Sequence, residues 1–292
     1  GEGVQDALMN FQRYGNSFGQ SARKRPDWAK PLDFKLKDAR KEEVDYLWFV
    51  GDYASYDQRA QEVTRAIAKV LQRGGVDLGL LMDKEQNSGN DVRRIGEEGL
   101  YAMLREKNGK ELAGAKFRRV LTSDPHTYNT LKNEYQINGQ ANEEDLAATA
   151  LAGKPVLHYT ELLDDLIRQG TLPLTRALDG TVTYHDSCAG LREMGVKGQP
   201  RALLGKVAGL SLAEMAECET CCGFGGTFSV KFGEISARLA DDKCRHVEAS
   251  GADAVVLGDL GCMLNIEGRL RRRGHASTQV LHVAEVLAGE RP

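Results

Sequence analysis

The sequence predicts an α/β protein made of two tandem Rossmann-like three-layer repeats with mainly parallel sheets. Short apolar runs alternate with amphipathic helical stretches, the pattern of βαβ units. The same order of runs and stretches occurs twice along the chain. Each of three strand–helix junctions in the second copy carries cysteine, and the matching junctions of the first carry short polar residues. A chain of 292 residues can bury one large core or two medium ones. The expected organisation is an N-terminal arm over 1–45, a first repeat over 46–172 and a second over 173–292. The chain begins at Gly1 rather than Met, as a processed or excised chain would.

The arm is polar and reads as irregular, with Trp28 and its neighbours as aromatic anchors. From Tyr46 to Val50 an apolar run predicts a buried strand. Residues 57–72 place Ala60, Val63, Ala66, Ile67, Val70 and Leu71 at helical spacing and stop at Gly74-Gly75. Strands are expected at 76–82, 117–122 and 155–158, and helices at 91–108, 127–136 and 161–169. The polar, alanine-rich stretch 137–154 reads as a surface connection carrying a short helix. Residues 171–180, with Pro173 and no clear period, read as the boundary. The second copy then runs strand 181–185, helix 199–207, strand 210–215, helix 232–250, strand 254–257, helix 263–272, strand 279–282 and helix 283–288.

Composition narrows the function classes. A net charge of -3 leaves no electrostatic footprint for nucleic acid. The basic run at Arg269 and Arg271 to Arg273 closes a helix, where cations are favoured. No apolar stretch approaches the roughly 18 residues that a membrane span needs, and there is no secretory signal. All six cysteines lie after residue 187, a clustering that points to metal or redox chemistry rather than to staples.

The junction cysteines are Cys188, then Cys221 and Cys222, then Cys262. Their counterparts in the first copy are Asp52, then Asn87 and Ser88, then Asp124. A glycine follows the middle pair in both copies, Gly89 and Gly223. In a parallel α/β sheet the loops leaving the C-terminal strand ends lie together at one edge, where ligands bind. Cysteines on successive loops therefore converge, and the site is expected at the C-terminal strand ends of the second repeat. Several thiolates at one point need a cation, and soft sulfur favours zinc, copper(I) or iron–sulfur clusters. A zinc ribbon would show paired CxxC knuckles, whereas here only Cys218 and Cys221 are so spaced. The wide spacing suits a cluster between loops better, with a structural zinc site as the alternative. The Gly223-Phe224-Gly225 stretch lacks the third glycine of a dinucleotide fingerprint.

The pattern Cys188…Cys221-Cys222-Gly223…Cys262 resembles the cysteine-rich CCG domain. That domain occurs, typically in tandem, in heterodisulfide reductase catalytic subunits and in the iron–sulfur subunits of glycolate oxidase and anaerobic glycerol-3-phosphate dehydrogenase. It also occurs in lactate-utilisation proteins, to which His185 to Glu193 and Cys222 to Phe228 are most similar. The arm resembles the segment joining a ferredoxin-like domain to a CCG pair. The resemblance implies one [4Fe-4S] cluster, cubane or non-cubane, with Cys188, Cys221, Cys222 and Cys262 as ligands. The family's fifth cysteine position holds Asn265, which leaves four thiolate ligands. Every ligand position of the first copy is replaced, by Asp52, Asn87, Ser88, Asp124 and Thr127, so that copy reads as degenerate.

The resemblance further implies an oxidoreductase subunit in electron transfer or thiol–disulfide redox chemistry. It would work with a ferredoxin-like iron–sulfur domain or subunit and other redox subunits. The expected setting is the cytoplasm, on the cytoplasmic face of a membrane complex. The alternative is a zinc-binding structural scaffold within a larger complex. Among secondary candidates, Cys218 is an additional ligand or a free thiol, and Cys244 falls inside a helix. His185 and Asp186 are candidate proton donors, or else structural groups. Arg192 would offset cluster charge or be solvated. His126 and His158 would line the vacated first site or pack in the core, and Asp52, Asp124 and Asn87 could there bind a hard cation, a minor alternative to an empty site.

Overall fold

The computed structural model describes residues 2–136, 145–172, 174, 178–275 and 277–289. In chain order its first part holds α1 (Glu2–Tyr14), a 3₁₀ stretch Ala22–Ala29, β1 (Lys37–Asp38), β2 (Val44–Phe49), α2 (Asp52–Tyr56) and α3 (Gln58–Arg73). There follow β3 (Leu78–Leu80), α4 (Asn90–Arg94), α5 (Glu98–Gly114), β4 (Phe117–Thr122) and α6 (Pro125–Asn129). A π-helical turn Thr130–Glu134, α7 (Leu146–Leu151), β5 (Val156–His158) and α8 (Tyr159–Arg168) complete it. The second part holds β6 (Gly180–His185), a π-helical turn Ala189–Glu193, α9 (Gly198–Leu204), β7 (Leu210–Leu212), α10 (Thr227–Lys231) and α11 (Gly233–Ala249). It closes with β8 (Ala254–Leu257), α12 (Leu260–Arg272), β9 (Gln279–His282) and α13 (Val283–Ala288).

The strands form two sheets, in the orders β1-β3-β2-β4-β5 and β7-β6-β8-β9. All strand pairings among the described residues are parallel. With β1 set aside, the two orders correspond strand for strand. The fold is therefore the doubled α/β architecture that the sequence predicts. Helices cover both faces of a parallel sheet, so its central strands are apolar throughout. Accordingly Leu47, Trp48 and Phe49 of β2 and all four residues of β8 are buried. By packing, the chain divides into two compact units, Gly1–Arg65 with Gly75–Tyr159 and Ala66–Gly74 with Thr160–Pro292.

Several elements differ from expectation. The arm is structured: its β1 extends the first sheet beside β3, and Trp28 is buried edge-on against Trp48 at 5.3 Å between centroids. Its polar composition hides this because few of its residues carry the packing. The helix expected at 91–108 is two helices, broken around Gly96 at a φ of 88°. The helix expected from Thr127 begins at Pro125, where the proline fits a first turn, and its second half widens into a π-turn. Strand β7 stops at Leu212, three residues into the apolar run. Of the 137–154 connection, 137–144 lie outside the described residues, and the short helix is α7. The expected boundary at 171–180 falls partly outside them too.

Candidate metal centre

Three loops leaving the C-terminal ends of β6, β7 and β8 meet at one edge of the second sheet. Cys188 stands at the start of the π-turn after β6, Cys221 and Cys222 in the loop after β7, and Cys262 in the first turn of α12. Their thiols are near enough to influence one another in series, Cys188 with Cys221, Cys221 with Cys222 and Cys222 with Cys262. None of the six cysteines is in a disulfide. The structure thus brings together the four cysteines that the sequence singles out.

The backbone shapes this convergence. Gly223 has a φ of 84°, and a Cβ there would lie 2.5 Å from the Ser236 carbonyl oxygen, so only glycine lets the loop lie on α11. Ser236 Oγ donates to the Gly223 carbonyl at 2.6 Å, and Gly223 N–H reaches Cys221 Sγ at 3.3 Å. Asp259 caps α12 by accepting from Cys262 N–H at 2.9 Å. Asn265 Nδ2 donates to the Cys222 carbonyl at 2.8 Å, which makes it a brace for the loop in this structure.

The electrostatics are those of a crowded thiol set. Hydrogen bonds from Cys188 and Cys222, with Gly223 N–H, hold the Cys221 thiol far below its usual range. Donating those hydrogen bonds makes the Cys188 and Cys222 thiols hold their protons and drives their pKa upward, helped by burial. For Cys262 the Cys222 contact acts downward, but burial and the Asp259 carboxylate outweigh it and leave the thiol at about 11. In such a set one proton is shared over neighbouring sulfurs, and a cation would take its place.

His185 is fully buried, and among the described residues neither ring nitrogen has a well-aligned hydrogen-bond partner, the Cys218 backbone being a weak neighbour. Its ring lies with Cys222 and Cys262, the donor atoms within 4.8 Å of one another. Burial, reinforced by the nearby Lys243 charge, lowers its pKa to about 3 and keeps the imidazole neutral. Asp186 is not free for proton transfer, since Arg201 holds it through two bonds at 2.8 and 2.7 Å. Cys218 stands apart, beside Asp186, which with burial raises its pKa. Cys244 is a buried core thiol directed at the Ile266 carbonyl. Arg192 is exposed. Four soft donors, a buried imidazole and no disulfide make a set able to hold zinc or an iron–sulfur cluster.

The corresponding edge of the first sheet is filled differently. Strand register pairs Phe49 with Thr122 and His185 with Leu257, so Asp52 occupies the place of Cys188. The same register sets Asp124 opposite Asp259, and both cap a helix: Asp124 accepts from Thr127 N–H at 2.9 Å. It is Thr127, in the first turn of α6, that stands where Cys262 stands. The expected match of Asp124 with Cys262 is corrected accordingly. Arg25, 3% exposed, reaches in from the arm and bonds Asp52 at 2.7 Å and Glu85 at 2.9 Å. Asp52 also accepts from Asn87 Nδ2 at 2.7 Å and Ser17 N–H at 3.1 Å. A guanidinium therefore fills the place that a hard cation was expected to take. His158 is packed between the Tyr128 and Tyr159 rings, within reach of the Ser123 carbonyl at 3.2 Å. His126 is half-buried at the start of α6.

The family model of the CCG cysteine-rich domain matches residues 33–132, most of them in the first unit, and 182–267, in the second. The chain belongs to the CCG cysteine-rich domain family. It is 32% identical over 295 residues to the probable iron-sulfur-binding oxidoreductase FadF of Bacillus subtilis (strain 168), covering 98% of this chain and 40% of that protein. It is 32% identical over 287 residues to a probable membrane-anchored ferredoxin of Chromohalobacter salexigens, covering 97% of this chain and 41% of that one. Lactate utilization protein A 2 of Bacillus cereus (strain Q1) is 50% identical over 105 residues, 36% of this chain and 43% of that protein. The chain thus spans about two-fifths of these relatives' lengths. A crystal structure of a hypothetical Helicobacter pylori protein shares the fold at a TM-score of 0.59, with 10% identity, over 99% of this chain and 57% of that one.

Within the CCG pair, sequence reasoning missed the buried cations. Nothing in the sequence singles out Arg25 or Lys243, yet both are buried. Arg201 was equally silent, although it carries Asp186 and lies 5.0 Å from the Tyr184 ring. Asp259 could have been found, because an aspartate three residues before a ligand position at a strand end is a helix-cap signal.

Proposed function

We propose that this chain is the CCG-domain portion of an iron–sulfur oxidoreductase, with one [4Fe-4S] cluster in its second unit held by Cys188, Cys221, Cys222 and Cys262. The observation that carries this reading is the convergence of four disulfide-free cysteines on one sheet edge, with Cys222 and Cys262 grouped with the buried His185 ring within 4.8 Å. The relatives' names, an iron-sulfur-binding oxidoreductase and a ferredoxin, support the same chemistry. Such a cluster supplies one-electron storage when bound. The chain's own part is to fix the loops that carry the sulfurs, with Cys222 and Cys262 buried and Cys188 and Cys221 partly exposed. Gly223 and Asn265 brace the middle loop, Asp259 fixes Cys262, and the Arg201–Asp186 pair anchors the strand end that carries Cys188.

Electrons would pass to or from a ferredoxin-like iron–sulfur domain or subunit. The parent assembly would be a heterodisulfide-reductase-like or 2-hydroxy-acid-oxidising respiratory complex on the cytoplasmic face of a membrane. No described helix is long and apolar enough to cross a membrane. Anaerobic purification with iron, acid-labile sulfide and zinc analysis tests the reading, together with EPR of the reduced protein. About four irons per chain and a reduced-state signal are expected. One zinc per chain with no signal would replace the redox reading by the structural one.

A further inference from the structure

Lys243 lies in the middle of α11 and is 1% exposed. Its ammonium donates to the Glu217 carbonyl at 2.5 Å and the Cys218 carbonyl at 3.3 Å. Neither carbonyl depends on it. Glu217 O also accepts from Thr220 N–H at 3.1 Å and Thr220 Oγ at 2.8 Å, and Cys218 O from Asp186 N–H at 3.1 Å. Among the described residues no carboxylate lies within ion-pair distance of Lys243. A buried ammonium with only neutral partners is strongly unfavourable, and buried charges are ordinarily paired. Burial lowers its pKa, while the thiols of Cys218, Cys222, Cys262 and Cys188 act in the opposite direction.

The first unit holds the control. There the junction glycine is Gly89, and a Cβ on it would meet the Tyr101 ring at 2.6 Å, as one on Gly223 would meet Ser236. Asn108 follows Tyr101 by the same interval as Lys243 follows Ser236. Asn108 Nδ2 likewise reaches back to its junction loop, to the Gln86 carbonyl at 3.3 Å and the Asn87 carbonyl at 3.0 Å. A neutral amide is enough to tie that loop to its helix. The position carries a charge in the unit that has the thiols and none in the unit that lost them.

We infer that Lys243 is the built-in counter-charge of the thiolate centre, a positioning residue whose buried ammonium balances the net negative charge of the four-cysteine metal or cluster site. This rests on the proposed function only in that a thiolate-bound centre forms, iron–sulfur or zinc. Lys243 favours loading of the site, and for a redox centre it stabilises the reduced, more negative state. The unit in turn gains stability on loading beyond what the ligand bonds alone supply.

The test compares the wild-type chain with Lys243→Gln, which keeps a donor and drops the charge as Asn108 does, and with Lys243→Arg, which keeps the charge. Each is prepared metal-free and after anaerobic reconstitution with iron and sulfide, and in parallel with zinc. Chelator-driven loss of the metal is expected to be about tenfold faster for Lys243→Gln, within the span of ordinary site-to-site couplings, and near wild type for Lys243→Arg. The midpoint potential of the reconstituted Gln variant is expected to be more negative. The gain in Tm on loading is expected to shrink, while the metal-free Gln variant melts no lower than metal-free wild type. Equal metal retention and an equal loading gain in Lys243→Gln would overturn the inference. So would a metal-free Gln variant that fails to fold, which would make Lys243 a loop tie. A wild-type chain that takes up neither iron–sulfur nor zinc defeats the proposed function instead, and the metal-free melting comparison still decides the role of the charge.

Discussion

The two sheet edges place a buried cation in the same region and neutralise it in opposite ways. In the first unit Arg25 sits between Asp52 and Glu85, two carboxylates of the chain itself, and Glu85 also accepts from Val50 and Gly51 N–H at 2.9 and 2.8 Å. In the second, Lys243 faces carbonyls and thiols. One edge is electrically closed by two carboxylates of the protein, and at the other the proposed centre would supply the negative charge. The same strand order is thus kept in a unit that has no cysteines at these junctions, with an arginine held between its carboxylates.

The sharpest way to break this contrast is at the sulfurs. Cys222→Ser is expected to abolish or convert the bound cluster, seen as a fall from about four irons per chain. Cys244→Ser, in the core of α11, is expected to retain it. Cluster loss in the Cys244 variant would show that the ligand set is misassigned. Next in size is Arg25→Met, which strands Asp52 and Glu85 without their cation and is expected to cost about 3–5 kcal/mol in denaturant unfolding. Its metal content should match wild type; loss of metal there would mean that the first edge shares in the centre.

A smaller effect is expected from the paired glycines. Gly223→Ala must push a Cβ against backbone at 2.5 Å, and Gly89→Ala against the Tyr101 ring. The first is expected to cost about 1–3 kcal/mol and to loosen metal binding, and the second less, because a ring can move. Equal costs would argue that the two loops are held with equal rigidity.

An effect confined to acid solution, and the smallest near neutral pH, is expected in pH dependence. Burial lowers the pKa of His158 to about 4 from its ordinary 6.5. The unfolded chain therefore binds a proton there that the folded chain refuses, and stability falls as pH drops from about 6.5 towards 4. His158→Gln should flatten that part of the metal-free stability profile. An unchanged slope would assign the loss to other groups.

What the sequence made legible was local. Apolar runs such as Tyr46 to Val50, the cysteines at strand ends and the glycine after each middle pair all act through near neighbours in the chain. The topology rule for parallel sheets then brings Cys188, Cys221, Cys222 and Cys262 to one edge without further information. Arg25 and Lys243 were illegible because a charge becomes structural only through burial, and burial is decided by distant elements. The arm hid its order for the same reason: two residues of β1 and the Trp28 ring hold it to the sheet. The match of Thr127 rather than Asp124 with Cys262 needed the strand register, because cap and ligand lie within one helical turn.

That shared cap bears on how the centre would be assembled. Asp124 and Asp259 do the same work in front of a threonine and of a cysteine, so the path from strand to helix is fixed by a carboxylate and not by a metal. The loop bearing Cys221 and Cys222 is likewise held from outside, by Ser236 and Asn265. The side chains that shape this edge thus recur in the first unit or lie outside the set of sulfurs themselves. The expected consequence, unlike in a zinc finger that needs its ion in order to fold, is a second unit that folds before any metal is bound.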